Sequence, residues 1–487
     1  MSVKIVIVSN RGPFTFSIKN NEVVYERGSG GLVTAISGVA REYDILWISC
    51  ALSRGDREWL RQAGGGVHTI EDMQIQLVQP NQAAYQQYYN VISNPLLWFI
   101  QHQLHDTPRS PVIDEHVWRA WKDGYAAINR QLAEATAASL QSMEGPIIVM
   151  PQDYHLYLFP QYLRELVGDR AFIQSFLHIP WPGPDAWRAL PAPLRQQLLS
   201  AMLHADRIGF QTERDKRRFL QTCAQNLKQV RVIEAWKRLH TGQREVEAAA
   251  YPISIDIAAL EALAETDEVK SYSRLFDETL GTEKVILRVD RVEPSKNILR
   301  GIIAYRDLLR TYPEYRGKVM MLALLVPSRT EVAEYRHYLR DIMALVGELN
   351  ATLGDGDWEP IRVMLGNNYA RAIAAFMRYD VLLVNPLADG MNLVAKEGTV
   401  LNRRDGVLIL SEEAGAAEEL GDDALLVSPF DVYSTREALH EALSMPEHER
   451  RRRAVNLARQ VRENDIHRWF ARQIQDVEAA SARASSS

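Results

Sequence analysis

The feature that most constrains the fold is the regular alternation of short apolar runs with longer helical patterns. Runs rich in Val, Ile and Leu are typical of buried parallel strands, and the helical segments between them are typical of stacked βαβ units. The sequence therefore predicts an α/β protein with two successive sets of strands. They are predicted at 4–8, 45–48, 147–150, 172–177, 207–210 and 247–251, and then at 284–289, 318–325, 362–365, 381–384, 407–410 and 424–427.

A chain of 487 residues exceeds what one hydrophobic core usually supports. Each set of strands is large enough for a sheet of its own, and the polar stretch from 252 to about 283 contains no predicted strand. We therefore predict a first domain at residues 1–255 and a second at 256–456, with a hinge near 252–258 and a ligand cleft between the domains.

Composition excludes several classes of protein. A hydrophobic fraction of 46% and a net charge of -6 are those of a globular protein without bulk affinity for nucleic acid. Two cysteines, Cys50 and Cys223, make neither a disulfide framework nor a zinc site, which fits a reducing compartment. The longest apolar run, 319–326, is too short to span a bilayer, and residues 3–8 read as a strand rather than a signal peptide. We expect a cytoplasmic protein with no membrane partner.

The segment 387–397 carries the strongest chemical signal. It follows the apolar run 381–385 and places a turn before a helix start, where backbone N–H groups hold anionic ligands at the edge of an α/β sheet. Asp389 and Asn392 add a carboxylate and an amide for sugar hydroxyls, and Glu397 follows about one turn later. The pattern indicates a binding site.

Cationic turns follow two strands of the second set. Arg291 and Lys296 flank the turn after 284–289, where they would neutralise a diphosphate leaving group. The alternative is a surface ion pair between Arg291 and Glu293 or Asp290. A further cationic turn contains Arg329.

In the first half, glycines and polar residues follow the predicted strands. Gly30 and Gly31 precede a helical segment and would allow close approach of a phosphate or sugar, although a flexible hairpin turn is equally consistent. Asp153 and His178 each follow a buried strand, which favours a cleft. A lone histidine in this position is more often structural.

Other chemistries are not supported. The sequence shows no Gly-x-Ser-x-Gly elbow and no His-Glu-x-x-His helix. Asp355-Gly356-Asp357 lies in a Gly-rich turn rather than at a strand end, and His102 with His105 has no third ligand. We predict no metal and no cofactor.

Taken together, these motifs resemble the trehalose-6-phosphate synthase family across essentially the whole chain. The segments that carry the resemblance are Ser9-Asn10-Arg11, Gly30-Gly31-Leu32, Tyr89-Asn90, Ser93-Asn94, Leu97-Trp98, Asp153-Tyr154-His155-Leu156, His178-Ile179-Pro180, Gly209 to Glu213, Arg291, Ser295-Lys296, Pro327-Ser328-Arg329, Asp389 to Glu397 and Asn464-Asp465-Ile466-His467.

The resemblance implies the GT-B architecture, with two Rossmann-like domains facing across a cleft. Residues 457–487 would form a helix that crosses back to the first domain, followed by a disordered tail. The implied reaction transfers glucose from a nucleotide-glucose to the acceptor glucose 6-phosphate. UDP-glucose is the expected donor. The configuration would be retained without a protein nucleophile.

The resemblance also implies roles for individual residues. Arg291, Lys296, Asp389, His178 and Asp153 would be catalytic. The donor would be held by Gly30, Gly31, Arg291, Lys296, Gly390, Met391, Asn392, Leu393, Val394 and Glu397. The acceptor and its phosphate would be held by Arg11, Trp47, Tyr89, Trp98, Asp153 and Arg329.

Three positions depart from the family pattern. Gln152 stands where the family usually has His, Asn297 where it has Gly, and Ser254 where it has Gly. Asn297 also matches a related pseudo-glycosyltransferase that joins two cyclitols. A relative with another acceptor, such as a glucosylglycerol-phosphate synthase or that pseudo-glycosyltransferase, is therefore an alternative, as is a non-catalytic regulator that binds sugar phosphate. The sequence does not decide between a monomer and a homo-oligomer.

Overall fold

The structure is a computed structural model that describes residues 3–28, 43–235, 237–280, 284–329 and 332–485. The chain divides into two compact units. Unit 1 comprises Met1–Ile253 with Ile466–Ser487, and unit 2 comprises Ser254–Asp465.

Unit 1 is built on a sheet whose centre is parallel. In chain order, the strands β1 to β12 are Lys4–Ser9, Phe14–Lys19, Glu22–Arg27, Asp44–Cys50, His68–Ile70, Met73–Val78, Ile147–Pro151, Phe172–Phe176, Arg207–Phe210, Arg231–Ile233, Arg238–His240 and Glu245–Ala250. The main sheet has the order β10-β11-β12-β9-β8-β7-β1-β4-β6-β5, and β2 pairs with β3 in a separate hairpin.

The helices of unit 1 connect these strands and include two π-helical stretches. The α-helices α1 to α8 are Arg54–Ala63, Gln82–Gln87, Trp98–Gln101, Glu115–Arg119, Ala127–Leu140, Phe159–Val167, Ala192–Met202 and Glu213–Asn226. The π-helices are Tyr88–Leu97 and Ala120–Ala126.

The order of strands in unit 1 reverses at β1. The chain moves outward from β1 through β4 to β6, then returns to the other side of β1 with β7, β8 and β9. The adjacent ends of β1 and β7, where Val8 lies opposite Pro151, form the topological switch point. Ligands of open α/β sheets bind outside the carboxyl ends of strands at such a point.

Unit 2 repeats this plan with a sheet in which every strand pair is parallel. Its strands β13 to β18 are Lys284–Val292, Val319–Pro327, Ile361–Leu365, Val381–Val384, Val407–Ser411 and Leu425–Val427, in the order β15-β14-β13-β16-β17-β18. Its helices α9 to α17 are Ile257–Ala264, Asp267–Thr279, Ile298–Thr311, Ala333–Leu353, Tyr369–Phe376, Leu393–Val400, Ala417–Leu420, Val432–Ser444 and Glu447–Glu463. The switch point lies between β13 and β16.

Burial explains why the strands of unit 2 are continuous apolar runs. The run 319–325 of β14 is buried throughout because helices cover both faces of a parallel sheet. Helix α11 packs its apolar side, including Ile302 and Leu309, into the same core.

The last helix, α18 (Ile466–Ser485), belongs to unit 1. The indole N–H of Trp469 donates to the carbonyl of Tyr251 over 3.0 Å, and Gln174 donates to Gln473 over 2.9 Å. The hydroxyl of Tyr251 also donates to Asp476 over 2.8 Å.

The structure confirms the predicted α/β class and the two Rossmann-like sheets. All the predicted strands are present, but the sequence analysis missed the edge strands β5 and β10, the strand β11 between β10 and β12, the parallel strand β6 and the β2–β3 hairpin. The predicted boundary at 457 is wrong in one respect, because it falls inside helix α17, which continues in unit 2 to Glu463.

Cys50 and Cys223 are free and buried, as expected of core thiols. In the described residues, no helix is long and apolar enough to cross a membrane.

Candidate active site

In unit 2, Lys296 meets Asp389 at the switch point of the sheet. Lys296 lies on a single 3₁₀ turn, Pro294–Lys296, directly after β13, and Asp389 follows β16. The ammonium of Lys296 donates to Oδ2 of Asp389, and both side chains are largely buried. The sequence predicted both residues, and the parallel strands bring them together.

Asn297 ends that turn with a left-handed backbone, at φ 56° and ψ 37°. Its side-chain amide donates to the carbonyl of Asn385 over 3.0 Å and to that of Pro429 over 2.6 Å. Asparagine tolerates this conformation better than most residues. Asn297 thus adopts the left-handed conformation that glycine favours.

Arg291 lies beside Lys296 but is more accessible. Its side chain is 50% exposed, and its guanidinium forms an ion pair of 3.0 Å with the buried carboxylate of Glu293. The ion pair that was the alternative to diphosphate binding is thus present. Glu293 also accepts a hydrogen bond of 3.1 Å from Ser328, so the carboxylate links the ends of β13 and β14.

The segment after Asp389 forms a tight turn into helix α14. Asn392 has φ 86°, its amide nitrogen donates to Asp389 over 3.1 Å, and its amide oxygen caps the helix by accepting from Ala395 N–H over 3.1 Å. The other residues predicted from this segment to bind the donor are Gly390, Met391, Leu393 and Val394. The cap fixes the direction of the helix N-terminus, where backbone N–H groups favour anions.

Glu397 lies in α14 and contacts a residue that sequence reasoning did not single out. The hydroxyl of Tyr369, at the first position of α13, donates to Oε1 of Glu397 over 2.9 Å. Desolvation raises the pKa of Glu397 to about 7, and the hydrogen bond from Tyr369 opposes this shift. A groove beside Tyr369 is lined by Leu263, Thr266, Glu268, Val269, Asn367, Asn368, Ala370 and Ile373.

Arg329 follows β14 and adopts a left-handed backbone, with φ 45°. Its guanidinium donates to the hydroxyl of Tyr335 and lies 5.5 Å from the centre of that ring. The residues that follow, 330 and 331, lie outside the described part of the chain.

In unit 1, the segment after β1 carries Arg11, whose side chain is exposed. Trp47 donates to the hydroxyl of Ser9 over 2.7 Å, and that hydroxyl donates to the carbonyl of Arg11 over 2.6 Å. The Trp47 side chain is completely buried. Trp47 thus contacts the Arg11 segment through Ser9, and its contact with the acceptor stays a prediction.

Tyr89 lies in the π-helix Tyr88–Leu97, a rare conformation that is frequent at functional sites. The Ser93 hydroxyl donates to the carbonyl of Tyr88, and the Asn94 amide to that of Tyr89, each five residues back. The ring of Tyr89 stacks on that of His155, with centres 5.9 Å apart.

Trp98 begins helix α3 immediately after this π-helix and is largely buried. Its ring stacks on His102, with ring centres 3.9 Å apart, and lies 5.5 Å from the ring of Tyr154. Two side chains predicted for the acceptor, Tyr89 and Trp98, thus belong to one aromatic cluster with Tyr154 and His155.

Asp153 has the most unusual backbone of the predicted residues. Its φ of 74° and ψ of 175° lie in a region that is essentially restricted to glycine. Two contacts hold it there: its N–H donates to the carbonyl of Phe176 over 2.7 Å, and its carboxylate accepts from His178 N–H over 3.2 Å. Strain of this kind is concentrated at functional sites.

The imidazole of His178 lies between two buried glutamines. Gln152 Nε2 donates to the carbonyl of Met150, so its Oε1 is left to accept from His178 Nε2 over 2.9 Å. Gln211 Oε1 accepts from Ile253 N–H, so its Nε2 donates to His178 Nδ1 over 3.3 Å. This arrangement fits the neutral ring with the proton on Nε2, and desolvation lowers the pKa of His178 to about 3.

Two predicted donor residues, Gly30 and Gly31, lie outside the described residues. Asp355-Gly356-Asp357 forms a turn in which Asp355 accepts from the N–H groups of Asp357 and Trp358. Within the described part of the chain, no group of three or more His, Cys, Asp or Glu side chains is placed to hold a metal ion.

Comparison with known proteins identifies relatives of the whole chain. Residues 3–479 match the model of Glycosyltransferase family 20. The alpha,alpha-trehalose-phosphate synthase [UDP-forming] of Schizosaccharomyces pombe is 32% identical, over 96% of this chain and 89% of the relative. The trehalose-6-phosphate synthase of Klebsiella pneumoniae subsp. pneumoniae is 33% identical, over 99% of this chain and 97% of the relative.

Solved structures are similar over almost the same length. One is described as trehalose-6-phosphate from E. coli bound with UDP-2-fluoro glucose; it has a TM-score of 0.84, is 29% identical, and is matched over 97% of this chain and 98% of that one. Another is an alpha,alpha-trehalose-phosphate synthase (UDP-forming) from Burkholderia xenovorans in complex with glucose-6-phosphate. It has a TM-score of 0.83 at 30% identity, over 98% of this chain and 100% of that one.

Proposed function

The chain belongs to glycosyltransferase family 20, and from that premise we propose that it is a retaining glucosyltransferase. It moves glucose from UDP-glucose to glucose 6-phosphate and forms trehalose 6-phosphate, as an alpha,alpha-trehalose-phosphate synthase. The resemblance drawn from the motifs is confirmed by the family match and by relatives with that activity in their names.

The observation that carries the proposal is the contact between Lys296 and Asp389 at the switch point of unit 2. A cation and a sugar-binding carboxylate stand where an α/β sheet holds its ligand. We propose that Lys296 and Arg291 bind the donor diphosphate, and that Asp389 and the turn from Gly390 to Val394 bind the glucose. Glu397 accepts hydrogen bonds from the ribose hydroxyls.

The chemistry then consists of positioning and charge stabilisation. The bond between the anomeric carbon and the diphosphate breaks, the acceptor hydroxyl oxygen bonds to that carbon on the same face of the sugar, and the hydroxyl proton passes to the leaving diphosphate oxygen. The negative charge grows on the leaving diphosphate, which is where Lys296 and Arg291 act. No protein nucleophile is required.

For the acceptor we propose a site in unit 1 with Arg11 on the phosphate and Tyr89, Trp98 and Asp153 around the sugar. The exposure of Arg11 and the strained backbone of Asp153 support this. For Arg329 we propose contact with a substrate phosphate, and for His178 contact with the transferred glucose.

We also propose a cytoplasmic location, which rests on the two free, buried cysteines.

The test is to incubate the protein with UDP-, GDP- and ADP-glucose against glucose 6-phosphate, glucose and glycerol 3-phosphate, and to identify the products. We expect trehalose 6-phosphate from UDP-glucose and glucose 6-phosphate. A glucoside formed with another acceptor, and not with glucose 6-phosphate, would favour the relatives suggested by Gln152 and Asn297. Binding of sugar phosphate without any transfer would favour the regulator.

A further inference from the structure

A fully buried arginine lies beneath the proposed diphosphate site of unit 2. Arg288 is on strand β13 and is 0% exposed. Its guanidinium contacts three parts of the chain: it forms an ion pair of 2.8 Å with Asp290, donates to Asn385 over 2.7 Å, and donates to the carbonyl of Lys296. Each contact lies near the end of β13 or β16, next to the residues that we propose bind the donor.

Further contacts join the same two segments. The N–H of Leu387 donates to the carbonyl of Ser295 over 2.7 Å, and the side chain of Asn297 donates to the carbonyl of Asn385. Asn385 therefore receives the guanidinium on its side chain and the amide of Asn297 on its backbone. Arg288 contacts both segments at once, through the carbonyl of Lys296 and the side chain of Asn385.

The surroundings of Arg288 are adapted to this guanidinium. A Cβ added at Gly301 would lie only 2.2 Å from Nη1 of Arg288. Gly301 is inside helix α11, where glycine is unfavourable compared with alanine. A buried charge is also costly, and apolar residues of similar volume often stabilise a fold better. A glycine inside a helix and a buried charge are both unfavourable, and both are present where this guanidinium is held.

We propose that Arg288 is a positioning residue of the donor site. By fixing the carbonyl of Lys296 and the side chain of Asn385, it holds the turn of Lys296 against the segment of Asp389 in the geometry that binds a nucleoside diphosphate. The inference rests on the proposed function, because it takes Lys296 as the ligand of the diphosphate.

The first test replaces Arg288 with lysine, which keeps the charge but has no planar fork for several partners. We expect Arg288→Lys to weaken UDP binding by at least about tenfold in isothermal titration calorimetry, the effect of losing one charge-assisted interaction. The control is Arg207→Lys in unit 1. Arg207 is also 0% exposed and is paired with a carboxylate, Glu247, so the substitution disturbs a similar site far along the chain from Lys296.

The second test leaves every polar group in place, in case Arg288→Lys does not fold. Gly301→Ala must displace the guanidinium, while alanine itself favours the helix. We expect UDP binding to weaken by several-fold in a variant that still folds. The control is Gly347→Ala in helix α12, where an added Cβ meets no atom within 4 Å. It should leave UDP binding unchanged.

A comparison of UDP binding with UMP binding distinguishes a loss of positioning from a general loss of structure. Arg288→Lys and Gly301→Ala should weaken UDP more than UMP, because the affected turn faces the diphosphate. Equal losses for both ligands, or unchanged UDP binding in either folded variant, would overturn the inference. If the wild-type protein binds UDP but transfers no glucose, the proposed function fails, while the UDP series still decides the role of Arg288.

Discussion

In both units the strand order reverses near the centre of the sheet. The segments that follow the central strands, however, are held by different interactions in the two units. In unit 2 the contacts are between charges: Lys296 with Asp389, Arg288 with Asp290, and Arg291 with Glu293. In unit 1 the ring of His178 is held by neutral hydrogen bonds with two glutamines, and the ring of Tyr89 stacks on that of His155.

This difference indicates how each unit handles its ligand. Paired charges can exchange a protein partner for an anionic ligand, so unit 2 is suited to a diphosphate whose charge grows during reaction. Neutral hydrogen bonds and stacked rings fix orientation without adding charge, so unit 1 is suited to a sugar. The proposed role of Arg11 is to supply the charge that binds the phosphate of that sugar. The predictions below test this contrast.

The largest effect is expected from Lys296→Ala. It removes a cation from the leaving diphosphate, so kcat/KM should fall by about 10²- to 10³-fold. Arg291→Ala should act in the same direction. Steady-state kinetics with UDP-glucose measures the loss, and Lys270→Ala, an exposed lysine of the same unit, is the control. Turnover close to that of the wild type would place the diphosphate elsewhere.

The next effect concerns the charge that unit 1 supplies. Arg11→Ala should narrow the preference for glucose 6-phosphate over glucose by about tenfold or more, since a charge-assisted bond to phosphate contributes roughly 1.5 to 3 kcal/mol. The measurement is the ratio of kcat/KM for the two acceptors. Arg119→Ala, at an exposed position of α4, should leave the ratio unchanged. An unchanged ratio in Arg11→Ala would remove this residue from the phosphate site.

Acidification should affect the proposed donor site through Glu397. Glu397, with its pKa raised to about 7, is mostly a carboxylate at pH 8 and mostly protonated at pH 6. Only the carboxylate accepts both ribose hydroxyls, so the KM for UDP-glucose should rise by about tenfold between these values. Tyr369→Phe should move the midpoint to higher pH, because it removes the hydrogen bond that favours the carboxylate.

Glu397→Gln provides the control, since it should abolish this pH dependence of KM. His178, with its pKa lowered to about 3, contributes no titration in the same range. A KM profile that is flat in the wild type would argue against Glu397 as the ribose ligand.

The smallest effect is on stability. At Asp153 we expect Asp153→Gly to be more stable than Asp153→Ala by about 1 to 3 kcal/mol, because alanine keeps the strained backbone and glycine relieves it. The order is the reverse of that in ordinary helices and strands. Thermal unfolding of the two variants measures the difference, and equal melting temperatures would show that the backbone is not strained.

Sequence patterns predicted the strands and the polar residues at their carboxyl ends, because apolar runs of this length are typical of parallel strands. Lys296 and Asp389 were therefore recognised as candidates although they are far apart in the chain. Their contact requires β13 and β16 to be neighbours, which periodicity does not reveal. The family resemblance implied only that both residues bind the same donor.

The residues that were missed act through partners that only the fold brings near. Arg288 interrupts an apolar strand, and nothing local indicates that Asn385 and Lys296 receive its guanidinium. Tyr369 is on helix α13 and Glu397 is on helix α14, so their hydrogen bond depends on how these two helices pack. Gln152 was noticed as a departure from the family, but its role depends on which way its amide faces, and a backbone carbonyl decides that.

The place of helix α18 has a consequence for biosynthesis. Most of unit 1 leaves the ribosome before unit 2, yet it also needs Trp469, Gln473 and Asp476 from residues made some two hundred positions after Ile253. Unit 2 is continuous in the chain. We therefore expect unit 2 to complete its fold first during translation, which reverses the usual order from the N-terminus. Until α18 arrives, the nascent unit 1 leaves the carbonyl of Tyr251 without its indole partner and the carboxamide of Gln174 without that of Gln473.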